Sequence, residues 1–214
     1  MATVKKWSNV AIAMQSALGA AKTITGITVG ATATVTSTAH GFANGDYVLV
    51  SAQGMRQVDG RIFRVSSQTT NNFVLEGEDT SAFDAFTSGS CQAITFGTSI
   101  TTATSVSGSG GDFGFIDTTT IHDNAKTQIP ELPNAASYSM DNIWDISDAG
   151  LRAMKQASDA QAKRCFKFTF GTGGQIMLFN GYVGASLLPG GQAQGMVTTG
   201  TVITMHGSPT YYAS

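Results

Sequence analysis

From residue 23 to residue 96 the chain breaks into short stretches of alternating small, β-branched and aromatic residues, with a turn signal about every ten residues. That rhythm restricts the segment to a small all-β sandwich or barrel. Strands are expected at Ala31–Thr38, Tyr47–Ser51, Arg61–Ser66, Phe73–Glu76 and Ser90–Phe96. Asn44-Gly45, Asp59-Gly60 and Asn71-Asn72 supply the turns, since these residues tolerate positive φ. Thr, Ser and Gly occur 28, 20 and 25 times, and only 12% of residues are charged, so a coiled coil or long-helix protein is excluded.

Beyond Phe96 the texture changes. Gly97–Ser107 and Phe113–Thr118 read as strands around a Gly108–Gly111 turn. Thr119–Asn134 has no clear periodicity and holds Pro130 and Pro133. A loop that long in a compact domain is usually functional or disordered. A strand is expected at Ala135–Trp144, and then a helix from about 147 to 162, with Leu151, Met154 and Ala157 on one face. Asp145 or Ser147 would cap it, Asp148 would sit in the first turn, and Lys163-Arg164 would follow its carbonyl end. Cys165–Phe170 and Gln175–Val183 form a hairpin across residues 171–174, and Met196–Met205 closes the chain. The fold class is therefore mainly β with one flanking α-helix. Three parts are expected: an arm at 1–22, a small β module at 23–96, and a β domain at 97–214.

The arm carries Lys5-Lys6 before Val10–Met14, which imitates a secretory signal. Ser8, Asn9, Gln15 and Ser16 interrupt the apolar run. The expectation is instead a mobile arm with a short helical turn that docks elsewhere through Trp7, Val10 and Ile12.

Charge points away from nucleic-acid binding. Twelve Lys and Arg face fourteen Asp and Glu, and no basic run exceeds two residues. A protein that grips DNA needs a concentrated phosphate-neutralising patch. No apolar stretch approaches the ~18 residues of a membrane span. Cys91 and Cys165 are expected as free buried thiols.

No catalytic constellation emerges. His40, His122 and His206 lack a second His or Cys at metal-ligand spacing. Gly108–Gly114 resembles a phosphate loop, but it misses the glycine spacing and precedes a strand rather than a helix. Glu78-Asp79 and Asp145/Asp148 read as a solvated turn and a helix cap, and Trp7 and Trp144 as packing anchors. Catalytic, cofactor and metal sites are therefore all expected to be none.

Two sets of motifs carry a resemblance. Ile116–Thr119, Ile129-Pro130, Asn142–Asp145, Lys167–Phe170, Phe179–Val183 and Val202–Met205, in that order, resemble the major tail tube proteins of long-tailed phages with flexible, non-contractile tails. His40-Gly41-Phe42, Asn44-Gly45-Asp46, Val58–Phe63 and Asn72–Leu75 resemble a small β module of phage tail proteins, similar to one in ubiquitin-activating enzymes. The resemblance implies a tube-type β-sandwich or barrel with the module inserted and placed on the outside. It implies hexameric rings stacked into a hollow tube that DNA crosses without specific binding, in a virion whose parts are made in the host cytoplasm. Partners would be copies of the chain and other tail proteins (tape measure, terminator and distal tail). The inter-ring contact would fall on Ile121, His122, Asp123, Lys126, Ile129 and Pro130, with Trp7, Val10 and Ile12 contributing from the arm. The competing reading is a baseplate or fibre protein, or an extracellular glycan-binding β-sandwich module.

Overall fold

The computed structural model describes residues 7–171 and 174–213. Lys5-Lys6 and two residues of the expected 171–174 turn lie outside them. In chain order the strands are β1 (Val10–Met14), β2 (Ala17–Leu18), β3 (Lys22–Ile24), β4 (Gly26–Ile27), β5 (Thr34–Thr36), β6 (Tyr47–Gln53), β7 (Ile62–Ser66), β8 (Asn72–Leu75) and β9 (Ser88–Thr95). They continue with β10 (Thr98–Ile100), β11 (Ala103–Ser109), β12 (Phe113–Asp117), β13 (Gln128–Pro133), β14 (Ser137–Ile143), β15 (Lys163–Phe170), β16 (Ile176–Ala185) and β17 (Thr198–Tyr212). The single α-helix among the described residues, α1, spans Ala149–Asp159. The fold is mainly β, with 49% of residues in strands, and one sheet curls into a half-barrel.

That half-barrel has seven strands in the order β10-β1-β15-β16-β17-β14-β11. Alternation along each strand sends one set of side chains inward. Ile12, Met14, Phe166, Phe168, Met177, Phe179, Met140, Ile203 and Met205 meet there under the helix residues Leu151, Met154 and Ala157. The Phe166 and Phe179 rings stack with centroids 5.3 Å apart, and Phe168 meets Phe179 edge-on at the same distance. Gly150 lets the helix sit close to β10, because a Cβ there would come within 2.6 Å of the Ser99 carbonyl oxygen.

The remaining strands between β2 and β9 form a second sheet around their own core, which includes Val35, Val48, Phe63, Phe73 and Leu75. The motif residues of this segment hold its turns. His40 Nδ1 accepts from the Phe42 N–H at 3.0 Å, and its Nε2 donates to the Asn72 carbonyl at 3.3 Å. Asp59 Oδ1 accepts from the Ala52 N–H at 2.9 Å, and Arg61 pairs with Glu78. The two sheets are joined by a small third cluster of Ile62, Ile94, Cys165, Leu178 and Tyr212. The Arg64 N–H donates to Tyr212 Oη across this seam at 2.7 Å.

Several expectations are corrected. The arm has no helical turn in its described part. Val10–Met14 is a strand held between β10 and β15, and it buries Ile12 to 6% exposure in the chain's own core. The second sheet already takes in Ala17–Leu18 and Lys22–Ile24. The final strand runs on to Tyr212. The helix is shorter than 147–162, and its cap is Asp148, whose Oδ1 accepts from the Leu151 N–H at 2.8 Å. Asp145 instead closes a turn with Ser147 (2.8 Å from its N–H), and Lys163-Arg164 open β15. Replacing Asp148 by Ala should therefore lower stability by about 1 kcal/mol in urea or thermal unfolding. The same change at Asp145 should cost less.

Candidate assembly surfaces

The segment 119–134 is only partly a loop. Gln128–Pro133 forms β13 and pairs with β12, with Phe113 opposite Pro133, Phe115 opposite Pro130 and Ile116 opposite Ile129. This hairpin grows out of the β11–β14 pair, so β11, β12, β13 and β14 form one long arm folded back on itself. Between its two halves the chain kinks at Gly110, where φ is +84 and a Cβ would lie 2.4 Å from the Ala135 carbonyl oxygen. The Gly111 N–H donates to the Asn134 carbonyl and the Asn134 N–H to the Asp112 carbonyl, at 3.1 and 3.0 Å, so the ladder is carried across the kink.

The outer hairpin leaves its apolar side chains in water. Phe113, Phe115, Ile116, Ile129 and Leu132 are all exposed, Leu132 at 89%, and Ile121 in the connecting turn reaches 96%. Phe113, Phe115, Pro130 and Pro133 lie on one face, and Ile116 and Ile129 on the other. An isolated two-stranded hairpin is marginal in water unless a face packs against another element. Here neither face is covered.

The turn at its tip is nevertheless organised. The Thr118 N–H donates to the Thr127 carbonyl at 2.9 Å, and the Thr120 N–H donates to Asp123 Oδ2 at 2.7 Å. Hydrogen bonds from Thr120 hold the Asp123 carboxyl below its ordinary range, and those from Thr119 do the same for Asp117. Asp123 thus spends its carboxylate on Thr120. His122 and Lys126 are exposed on the same turn. The proposed loop residues Ile121, His122, Asp123, Lys126, Ile129 and Pro130 therefore share one hairpin. The arm residues divide: Trp7 is half exposed against Phe170 (centroids 5.6 Å apart), whereas Val10 and Ile12 are in β1.

A second feature is the pair of sheet edges. The two residues Thr101-Thr102 carry the chain from one edge strand, β10, to the other, β11, yet these strands do not pair. A cleft of about 620 Å³ lies between them, lined by Trp7, Val10, Ile100, Ala103 and Val106 among others. One side of β11 is therefore free to accept another strand.

The third is the outward face of β11, β14 and β17. Register places Ser105, Ser107 and Ser109 beside Asp141, Ser139 and Ser137, and these beside Gly200, Val202 and Thr204. Ser109 and Ser137 share a hydrogen bond at 3.0 Å, and Ser105 Oγ donates to Asp141 Oδ2 at 2.7 Å. None of the three strands carries a Lys or Arg.

Reactive chemistry is not what the remaining groups offer. Burial pushes the Cys91 thiol up to about 11 and the Cys165 thiol up to about 12, and neither is bridged. Among the described residues no cluster of three or more His, Cys, Asp or Glu side chains could hold a metal. No helix of these residues is long and apolar enough to cross a membrane.

The family model of the phage tail tube protein matches residues 53–214. The chain belongs to this family. Among curated proteins nothing matches it. The family is structural rather than enzymatic, and membership implies self-assembly, contact with other tail components and a place in the virion tail. The sequence marked 119–134 in the tube protein as a long loop and did not show that Gln128–Pro133 is a strand, and the outward Ser/Thr face could be found only once register was known.

Trypsin checks the hairpin's independence. Lys126 is the one Lys or Arg between Asp112 and Pro133 and is exposed in the turn. Cleavage should start after Lys126 in the free tube protein, leave the half-barrel folded, and slow at least tenfold in assembled material.

Proposed function

We propose that this tail tube protein forms hexameric rings, that the rings stack into the hollow tube of a long, non-contractile tail, and that viral DNA crosses the tube during ejection. The observation that carries the reading is the β12–β13 hairpin, a projecting element with apolar side chains on both faces. Such an element is completed only by insertion between neighbouring surfaces. A ring needs a contact whose rotation closes, and a tube needs a second, open contact along the axis. The free side of β11, across the cleft that Trp7 lines, suits the first and the hairpin the second. The tape measure, terminator and distal tail proteins would meet the same surfaces at the tube ends.

The lumen is assigned to the outward face of β11, β14 and β17. A conduit must not hold DNA by many phosphate contacts, since each would slow its passage. This face offers hydroxyls, glycine, one valine and one carboxylate, and no cation. The second sheet, with the 23–96 segment, is read as an insertion decorating the outside, because a lumen that admits a duplex has no room for it. A glycan-binding or baseplate role gains no specific support from the observed surfaces.

Electron microscopy of the purified protein tests the reading directly, with rings or tubes of constant bore expected. Deleting Ile121–Ile129, which also removes Gln128 and Ile129 of β13, should leave subunits whose half-barrel still unfolds cooperatively but that form no tubes; tubes of normal length would refute the axial role. Ser107→Lys with Ser139→Lys should leave assembly intact but slow DNA ejection severalfold, with recovery at high salt. Unchanged ejection would remove this face from the lumen.

A further inference from the structure

The strand register gives the half-barrel two distinct ends. Ser109 and Ser137, at the root of the hairpin, pair with each other, and Ser137 pairs with Thr204. At the other end of the same strands, Ile143 pairs with Thr198, and Thr198 bridges to Gly190. This far end carries a second apolar surface. Ile143, Ile146, Leu188, Met196 and Val197 are all exposed, Leu188 at 73%. The surface is built rather than loose. Trp144 donates its backbone N–H to the Val197 carbonyl and its Nε1–H to the Leu187 carbonyl, both at 2.9 Å, which pins the segment 186–197 to the end of β14. No residue from 186 to 197 is ionisable.

We infer that the far-end surface around Ile146, Leu188 and Met196 is the receptor for the β12–β13 hairpin of a second copy of this chain in the adjacent ring. The inference rests on the tube reading and deepens it. Both surfaces are apolar, both are left in water by the single chain, and they sit at opposite ends of the same strands. If hairpins met hairpins about a two-fold axis, stacking would stop at two rings and every far-end surface would stay wet. A head-to-tail contact covers both kinds of surface with one operation and repeats without limit. The 186–197 part of the receptor carries no charge, and the nearest charged groups, Asp145 beside Ile146 and Lys155 and Asp159 beside Leu188, border it. The hairpin's own Asp117, Glu131 and Lys126 meet no buried counter-charge there and can stay at the solvated rim.

The test is a benzophenone amino acid placed at Leu132, and separately at Ile121, in the full-length protein. Both positions are exposed enough to leave folding untouched. Assembled tubes are irradiated and the cross-linked peptides sequenced. Cross-links to residues 143–146 or 186–197 are expected, with Met196 favoured by the probe's reactivity toward thioethers. Cross-links from hairpin to hairpin, or to other segments of the neighbouring copy, overturn the inference while leaving the tube reading intact. Absence of tubes from the unsubstituted protein overturns the tube reading, and the receptor with it. As an independent measurement, Leu188→Glu with Met196→Glu should stop assembly at single rings. Tubes of normal length from that variant count against the receptor.

Discussion

A hydrophobic hairpin held out in water is the constraint on which the rest of this structure turns. Each Phe, Ile or Leu fully covered contributes roughly 1.5–3 kcal/mol relative to exposure. The hairpin and the turn at its tip leave six such side chains uncovered in every copy. A chain that built only its own core would not keep them. The half-barrel shows the alternative within the same molecule, because Phe166, Phe168 and Phe179 are stacked out of solvent beneath α1. The same type of residue is thus used in two ways, one satisfied within the chain and one, on the reading proposed above, between copies.

How far the sequence could be read follows from which surfaces each element faces. The helix was legible because it has one buried stripe and one wet face, so Leu151, Met154 and Ala157 repeat at helical spacing. Its cap was missed by one turn motif: Asp145, Ser147 and Asp148 are all competent N-caps, and backbone geometry alone chooses among them. Strand β13 was invisible for a different reason. Alternation marks a strand when one face is dry and the other wet. In Gln-Ile-Pro-Glu-Leu-Pro the apolar residues fall on both faces and two prolines remove donors, so the pattern reads as irregular loop. Strand β1 was obscured by its brevity. Gln15 and Ser16, taken as interruptions of an apolar run, lie just beyond its end, where the Gln15 N–H donates to the Cys165 carbonyl at 2.8 Å.

Register supplied what composition could not. The abundance of Ser and Thr in the half-barrel says nothing about where the hydroxyls point. Pairing of β11, β14 and β17 collects Ser105, Ser107, Ser109, Ser137, Ser139 and Thr204 on one surface, while their neighbours Val106, Met140 and Ile203 turn to the core. The outward face changes character further along the sheet. On β15 and β16 it presents Cys165 and Leu178, and there the second sheet covers it. One curved sheet thereby divides its outer surface into a polar sector without Lys or Arg and an apolar sector already occupied. The division follows from curvature, since a flat sheet would point both sectors the same way.

An exposed apolar hairpin also invites uncontrolled aggregation, and its sequence limits that risk. Strand addition is the least selective way for such an element to associate, because backbone groups pair regardless of side chains. Pro130 and Pro133 remove two of the N–H groups that β13 would otherwise offer. The Glu131 side chain lies over Gly114, whose Cβ, if present, would come within 2.5 Å of Oε2. Carboxylates at Asp117 and Glu131 add repulsion between hairpins of like charge. What remains attractive is the shape of the apolar side chains, which discriminates between a fitted groove and a second hairpin. A tube built by the head-to-tail joint proposed above needs that discrimination more than it needs a tighter contact.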